Sequence, residues 1–376
     1  MKDQRFMNFP SIDYLESVET YTPGLRVPEV VEKYGVPAEK VAKLASAENP
    51  LGPSPRAVKA IQLALNDLSL YPDWQSQGLR EAIARHNGVK IGQVIVSCGE
   101  TELIPFIIRA FSEEGDKILF PIPTFPIYEQ ASLVERRQPV SVPMDEDFKI
   151  DPERLLHAFT ERTSLLILTS PNNPLSTTIG KEKIRYILDH TPPEVLVLLD
   201  EAYVDYSERG SQADLLHLYP NLIVLRTFSK IYGLAGLRVG YGMASEVVIQ
   251  ALMKVKPTWN IGNLAAAGAA AALEDKEHYK KTRALVHKER DYLVNSLHEF
   301  SNVSVVMKPE ANFLCLRIMD LTITSTDVFE GLLQGGVITK DCSVSFKGLG
   351  NRFIRVDVNQ RSKMDQFLSH LARVMA

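Results

Sequence analysis

Three runs in the middle of the chain, at 164–169, 194–199 and 222–225, are apolar almost without a break. A strand with one face in water alternates polar and apolar residues. A run that does not alternate must be covered on both faces, as in a parallel sheet sandwiched by helices. Helical spacing lies between and before these runs. Ala57, Val58, Ala60, Ile61, Ala64 and Leu65 recur with it, as do Leu79, Ala82 and Ile83, and so does the stretch from Lys181 to Leu188. Further strands are expected at 94–96 and 117–120, with a helix over 101–111. Buried strands separated by helices predict an α/β fold with a large domain built on a mostly parallel sheet.

The ends of the chain read differently. Pro10, Pro23, Gly24, Pro28 and Pro37 make the opening loop-like, so residues 1–45 are expected to form an N-terminal arm that packs on the small domain or on a partner. Residues 46–275 would be the large domain. The uncharged stretch 258–273, mostly Ala and Gly, reads as a turn and a tightly packed helix. Residues 276–376 would form a smaller α+β domain. It has a charged helix through Glu277, Lys280, Glu289, Arg290 and Asp291, short strands at 313–316 and 353–356, and a closing helix over 364–374. The charge run reads as a solvated helix face, and Arg352 as solvent-facing.

Composition narrows the function. A chain of 376 residues buries about three quarters of its unfolded surface and needs no disulfide or metal staple. Its net charge of −4 supplies no field for nucleic acid or an anionic membrane. No apolar run reaches the roughly 18 residues needed to span a bilayer. The first twenty residues include Asp3, Asp13, Glu16 and Glu19, which is unlike a secretory signal. Three cysteines and eight histidines show no metal spacing, so no metal is expected. Together these point to a reducing, cytoplasmic setting.

Each central strand ends in polar residues of a different kind. The first runs into Ser170-Pro171-Asn172-Asn173-Pro174, the second into Asp200-Glu201-Ala202-Tyr203, the third into Arg226-Thr227-Phe228-Ser229-Lys230. Ligands of open α/β sheets sit beyond the carboxyl ends of the strands. If these strands are neighbours, Asn173, Asp200, Tyr203 and Lys230 face one crevice with an amide, a carboxylate, a phenol and an amine. Pyridoxal phosphate needs such a set: a lysine for its Schiff base and an acid for its pyridinium nitrogen. Its phosphate would be held by Ser229, Arg238 and the backbone amides of Gly99, Glu100 and Thr101 where the chain enters a helix. Singly, these residues have plain structural explanations. Asn172-Asn173-Pro174 makes a turn, Asp200-Glu201 caps a helix, and Gly233 and Gly236 permit close packing. Their order along three buried strands is what points to a site.

The segment Ser229-Lys230-x-x-Gly233-Leu234-Ala235-Gly236-Leu237-Arg238-x-Gly240, with the two preceding motifs, resembles fold-type I pyridoxal-phosphate-dependent aminotransferases of class II. Tyr21-Thr22-Pro23-Gly24, the run from Lys43 to Pro55, Tyr71-Pro72-Asp73 and Pro123-Thr124-Phe125 are most similar to histidinol-phosphate aminotransferases. The resemblance spans essentially the whole chain. It implies that Lys230 is the Schiff-base lysine and proton carrier, that Asp200 pairs with the pyridinium, and that Asn173 and Tyr203 contact the ring's 3-oxygen. It also implies that Phe125 stacks on the ring and that Tyr71 reaches the phosphate of a neighbouring subunit's cofactor, which requires a homodimer. Of the small-molecule amino donor and 2-oxo acid acceptor, Arg355 would bind the carboxylate of glutamate and the phosphate end of the other substrate, Lys340 would take the second substrate-binding position, and Tyr21 would help close over the substrate. Asn49 either orients a substrate group or holds the Pro-rich turn.

The sequence departs from the pattern in places. Leu175-Ser176 stands where Thr-Gly is usual, and Lys340 stands where a second arginine is common, losing its bidentate fork. The segment 341–349, Gly99-Glu100-Thr101-Glu102 and Trp259 resemble threonine-phosphate decarboxylases on the same fold. Phe125, Tyr21 and Trp259 would also suit an aromatic amino acid. A regulator on this fold would need an appended DNA-binding module, for which the opening segment is too short.

Overall fold

The structure, a computed structural model, describes residues 14–16, 18–306 and 308–376. The first thirteen residues of the expected arm lie outside them. The arm is not wholly loop-like, because Val27–Tyr34 forms helix α1. Pro28 sits in its first turn, where a proline costs no hydrogen bond, and Gly35 ends it at φ 69°. Ala42–Lys43 (β1) then pairs in parallel with Val337–Ile338, which ties the end of the arm to the C-terminal part of the chain.

Two helices follow, α2 (Pro55–Ala64) and α3 (Gln77–Asn87). The large sheet is built from β2 (Val94–Cys98), β3 (Lys117–Ile122), β4 (Gln138–Pro143), β5 (Thr163–Thr169), β6 (Leu196–Asp200), β7 (Leu222–Thr227) and β8 (Val239–Ala244). Their order is β2-β8-β7-β6-β5-β3-β4. Strands β3 to β7 pair in parallel, whereas β8 runs antiparallel to both β7 and β2.

Helices cover both faces. One face packs Ile95, Phe120, Ile167, Leu198 and Ile223 against α4 (Glu100–Phe111), α5 (Ile127–Val134) and, later, α8 (Glu246–Val255). The other packs Val96, Leu119, Leu168, Leu199 and Val224 with α3, and with α7 (Lys181–His190) and α9 (Asn263–Glu274); α6 (Pro152–His157) lies beside α7. Alternate residues of one strand therefore serve opposite cores, which is why the strands read as unbroken apolar runs. Each fully buried Leu or Ile contributes about 1.5–3 kcal/mol relative to exposure.

Helix α10 (Lys276–Leu297) leads into a four-stranded antiparallel sheet. The sheet comprises β9 (Val303–Val305), β10 (Phe313–Ile318), β12 (Lys340–Asp341) and β13 (Phe353–Asp357), in the order β12-β13-β10-β9. Helices α11 (Ser325–Gln334) and α12 (Arg361–Val374) complete this part, with Val337–Ile338 as β11.

The charged run on α10 is not a solvated face throughout. Glu289 is buried and accepts from Arg361 Nε at 2.7 Å, and buried Arg290 donates to Ala311 O at 3.2 Å. A buried charge needs such a partner. Arg352 is half-buried rather than solvent-facing, and its Nη1 donates to the Asp320 and Ile323 carbonyls. Among the described residues no helix is long and apolar enough to cross a membrane.

Candidate active site

The parallel strands β5, β6 and β7 are neighbours, so their C-terminal ends open on one crevice. The register sets Thr169 of β5 beside Asp200 of β6. Beyond these ends lies a cavity of about 290 Å³. Asn173, Asp200, Tyr203, Ser229, Lys230, Arg238 and Arg355 line it together with Glu100, Thr101, Phe125 and Tyr21. Eleven of the residues singled out from the sequence thus meet in one place. A larger cavity of about 800 Å³ shares Tyr21 and Phe125 as a wall and is bordered by Ser343, Ser345 and Lys347.

Asp200 is 4% exposed. Its Oδ2 accepts from the Tyr128 hydroxyl at 2.6 Å and its Oδ1 from the Ala202 amide at 2.9 Å. The Tyr128 hydroxyl also lies 2.9 Å from the Thr169 hydroxyl. Burial, and then the Asp200 charge, push the Tyr128 phenol well above its ordinary range, so it stays a donor. Lys230 Nζ donates to Ser46 O at 3.1 Å. Burial, and then the Arg355 charge, bring the Lys230 ammonium down to about 8, against the pull of Asp357 and Glu100. Burial and the Asp200 charge hold the Glu100 carboxyl well above the usual carboxylate range. Arg355 Nη1 donates to Asn173 Oδ1 at 2.8 Å and its Nη2 to Ala45 O at 2.6 Å.

At the other end of the cavity Arg238 Nη1 donates to Ser229 Oγ at 3.3 Å and to Ala235 O at 3.2 Å. The chain passes through Gly99 at φ 76° into α4, whose first amides point outward. A Cβ on Gly99 would stand 2.2 Å from Arg238 Nη2, and one on Gly240 2.2 Å from the Glu100 nitrogen. The glycines therefore let a guanidinium, a strand and a helix N-terminus converge. Gly233, at φ 67°, has Gly52 O where its Cβ would be, whereas nothing lies within 4 Å of a Cβ on Gly236. The close-packing explanation holds for the first and not for the second.

This donor set fits pyridoxal phosphate. A guanidinium, a hydroxyl and helix amides suit the phosphate, a buried and hydrogen-bonded carboxylate suits the ring nitrogen, and an amine with a lowered pKa suits the aldehyde. Among the described residues no group of His, Cys, Asp and Glu is placed to hold a metal ion.

Asn49, Tyr71 and Lys340 are not among the residues that line this cavity. Asn49 Nδ2 donates to Ile231 O at 2.6 Å and its Oδ1 accepts from the Leu51 amide, so the side chain ties the Pro-rich turn to the residue after Lys230. Tyr71 is 81% exposed and stacks on Trp259 at 4.7 Å between ring centroids. Lys340 is buried beside the cavity, donates to Thr22 O at 3.0 Å and lies 5.8 Å from the Tyr21 ring centroid, so it holds the arm down. Tyr128, Thr169 and Asp357 were not expected. Only the spacing of Phe125 and Tyr128, three residues apart at a helix start, hinted at the first.

The model of the aminotransferase class I and II family matches residues 39–371. The chain is 39% identical over 365 residues to a histidinol-phosphate aminotransferase of Anaeromyxobacter sp., covering 96% of this chain and 98% of the relative. It is 36% identical over 363 residues to the histidinol-phosphate aminotransferase of Methanothermobacter thermautotrophicus, with 96% of each chain covered. The structure is similar to that of histidinol-phosphate aminotransferase from Sinorhizobium meliloti in complex with pyridoxal-5'-phosphate, with a TM-score of 0.87, 25% identity and coverage of 99% and 98%. With an amine, a carboxylate and a guanidinium beside a helix N-terminus meeting beyond the strand ends, the chain belongs to the class I and II aminotransferases and is a pyridoxal-phosphate-dependent transaminase acting on small molecules.

Proposed function

We propose that the chain transfers the amino group between histidinol phosphate and 2-oxoglutarate, a step of histidine biosynthesis. The observation that carries this reading is the meeting of Lys230, Asp200 and Arg355 in one cavity, so that an amine, a ring-nitrogen partner and an anion receptor surround the same small volume. The names borne by relatives 33–39% identical support the substrate.

Pyridoxal phosphate, when bound, supplies an electron sink conjugated to the substrate Cα. The chain's residues do the rest. Lys230 Nζ takes and returns the proton at Cα, a general acid–base role worth about 10²–10⁴ in rate. Asp200, fixed by the Tyr128 hydroxyl and the Ala202 amide, would hold the ring nitrogen charged. Asn173 and Tyr203 would meet the ring's 3-oxygen, Phe125 would pack on the ring, and Ser229, Arg238 and the Glu100 and Thr101 amides would hold the phosphate. Arg355 receives the anionic end of either substrate, with Lys340 and Tyr21 closing the arm beside it.

The same reading divides the chain into an arm (1–45), a large domain (46–275) and a small domain (276–376), and makes it a homodimer. Exposed Leu63, Leu65, Leu68, Leu70, Tyr71, Trp74 and Trp259 support a covered face there.

The test is a half-reaction screen. The holoenzyme is mixed separately with glutamate, histidinol phosphate, phenylalanine and threonine phosphate. Glutamate and histidinol phosphate should bleach the visible absorbance of the lysine-bound cofactor. Bleaching by phenylalanine in preference to histidinol phosphate would reassign the substrate, and carbon dioxide release from threonine phosphate would reassign the reaction.

A further inference from the structure

Arg355 faces the cavity with its guanidinium already engaged by the protein's own acceptors. Besides Asn173 Oδ1 and Ala45 O, its Nη2 lies 3.3 Å from Asp357 Oδ1. Asp357 is two residues further along β13, hence on the same face of the strand. It is 3% exposed. Its Oδ2 accepts from the Ala47 amide, while Oδ1 has no hydrogen-bond partner. Accepting one amide does not call for a charge, since a neutral side chain does the same at a smaller desolvation cost. The acid's remaining oxygen faces a cation. Lys340 pairs with Arg355 across the β12–β13 ladder, so this end of the site carries two positive charges and one buried negative charge.

We propose that Asp357 is a specificity-determining residue: it lowers the charge of the anion receptor around Arg355 so that the receptor binds and releases both a singly charged carboxylate and a doubly charged phosphate. The need for both anions rests on the proposed pairing of a 2-oxo acid with a phosphorylated amine. Coulomb energy scales with the product of the charges. Removing one negative charge therefore acts twice as strongly, in free energy, on a dianion as on a monoanion. If the carboxylate gains a given factor in affinity, the phosphate gains its square. An enzyme without Asp357 would hold its phosphorylated ligand too long.

The test uses the holoenzyme, its cofactor phosphate site filled, at low ionic strength. Inorganic phosphate and acetate are measured as competitive inhibitors of the glutamate half-reaction for the wild type, Asp357→Asn and Asp357→Ser. In whichever neutral variant keeps the wild-type absorbance, acetate should bind about 3-fold and phosphate about 10-fold more tightly. Lys340→Met, which changes the same charge in the opposite sense without touching Asp357, should weaken phosphate about 10-fold and acetate about 3-fold. Unchanged inhibition, or equal changes for both anions, means that Asp357 only positions Arg355 and overturns the proposal. Neither anion requires turnover of histidinol phosphate, so a wrong substrate assignment and a wrong role for Asp357 give separate results.

Discussion

At the scale of single residues the proposed chemistry rests on an amine that burial leaves more readily deprotonated near neutral pH. Lys230 is brought down from 10.5 to about 8 by burial and by the Arg355 charge. The unfolded chain takes up its proton first as pH falls, so this depression costs stability that accrues as pH falls from about 10.5 to 8 and stays in full below 8, and that cost serves function. Above about 8 the folded amine is neutral and nucleophilic. Capture of pyridoxal phosphate by the apoenzyme should accelerate with pH and level off above about 8, followed by visible absorbance. A rise continuing through pH 10 would contradict the burial argument. Lys230→Ala should show no such profile and no turnover, while Asp200, Ser229 and Arg238 still retain the cofactor non-covalently. Lys230, Asp200 and Asn173 were legible because each lies at or just past the end of a buried strand, a local feature. Tyr128 and Thr169 were not, because they meet Asp200 only through the packing of α5 and β5 on β6. Asn49 was ambiguous for the converse reason: its neighbours 182 and 233 residues away decide its role.

At the scale of elements, close approach of backbone to backbone sets the proposed phosphate cradle. Strand β8 passes the start of α4 at Gly240, where a Cβ would collide with the Glu100 nitrogen. Gly240→Ala should push the helix N-terminus away from its place. Cofactor affinity should fall at least about 10-fold and stability by about 1–3 kcal/mol, the range of overpacking, measured by equilibrium dialysis and denaturant unfolding. Unaltered cofactor affinity would show that the helix amides do not matter. The same glycines explain why β8 was missed: Gly240 and Gly242 lower strand propensity, and neighbouring strands rather than local preference hold it. Helix α1 was missed because Pro28 reads as a breaker, although a first-turn proline is tolerated.

At the scale of the whole molecule, one face remains to be covered. Tyr71 stands 81% exposed in a segment rich in exposed leucines and tryptophan, and does not line the Lys230 cavity of its own chain. If it completes the neighbouring site, mixed dimers should reveal it. Tyr71→Ala and Lys230→Ala homodimers are each impaired, but a refolded mixture contains dimers with one intact site, Lys230 from one protomer and Tyr71 from the other. Activity should climb above that of either parent, and sedimentation should give a dimer. A monomer, or a mixture no better than its parents, would end the shared-site reading. What the sequence determined by itself was the layered α/β plan, from unbroken apolar runs that demand cover on both faces, and the kind of chemistry, from polar residues ending those runs. Only the tertiary structure decided which side chains hold Asp200 and Arg355, and that β8 runs against its neighbours. Burial and hydrogen bonding follow from the nearest atoms in space, and those atoms lie 72 to 310 residues apart along the chain.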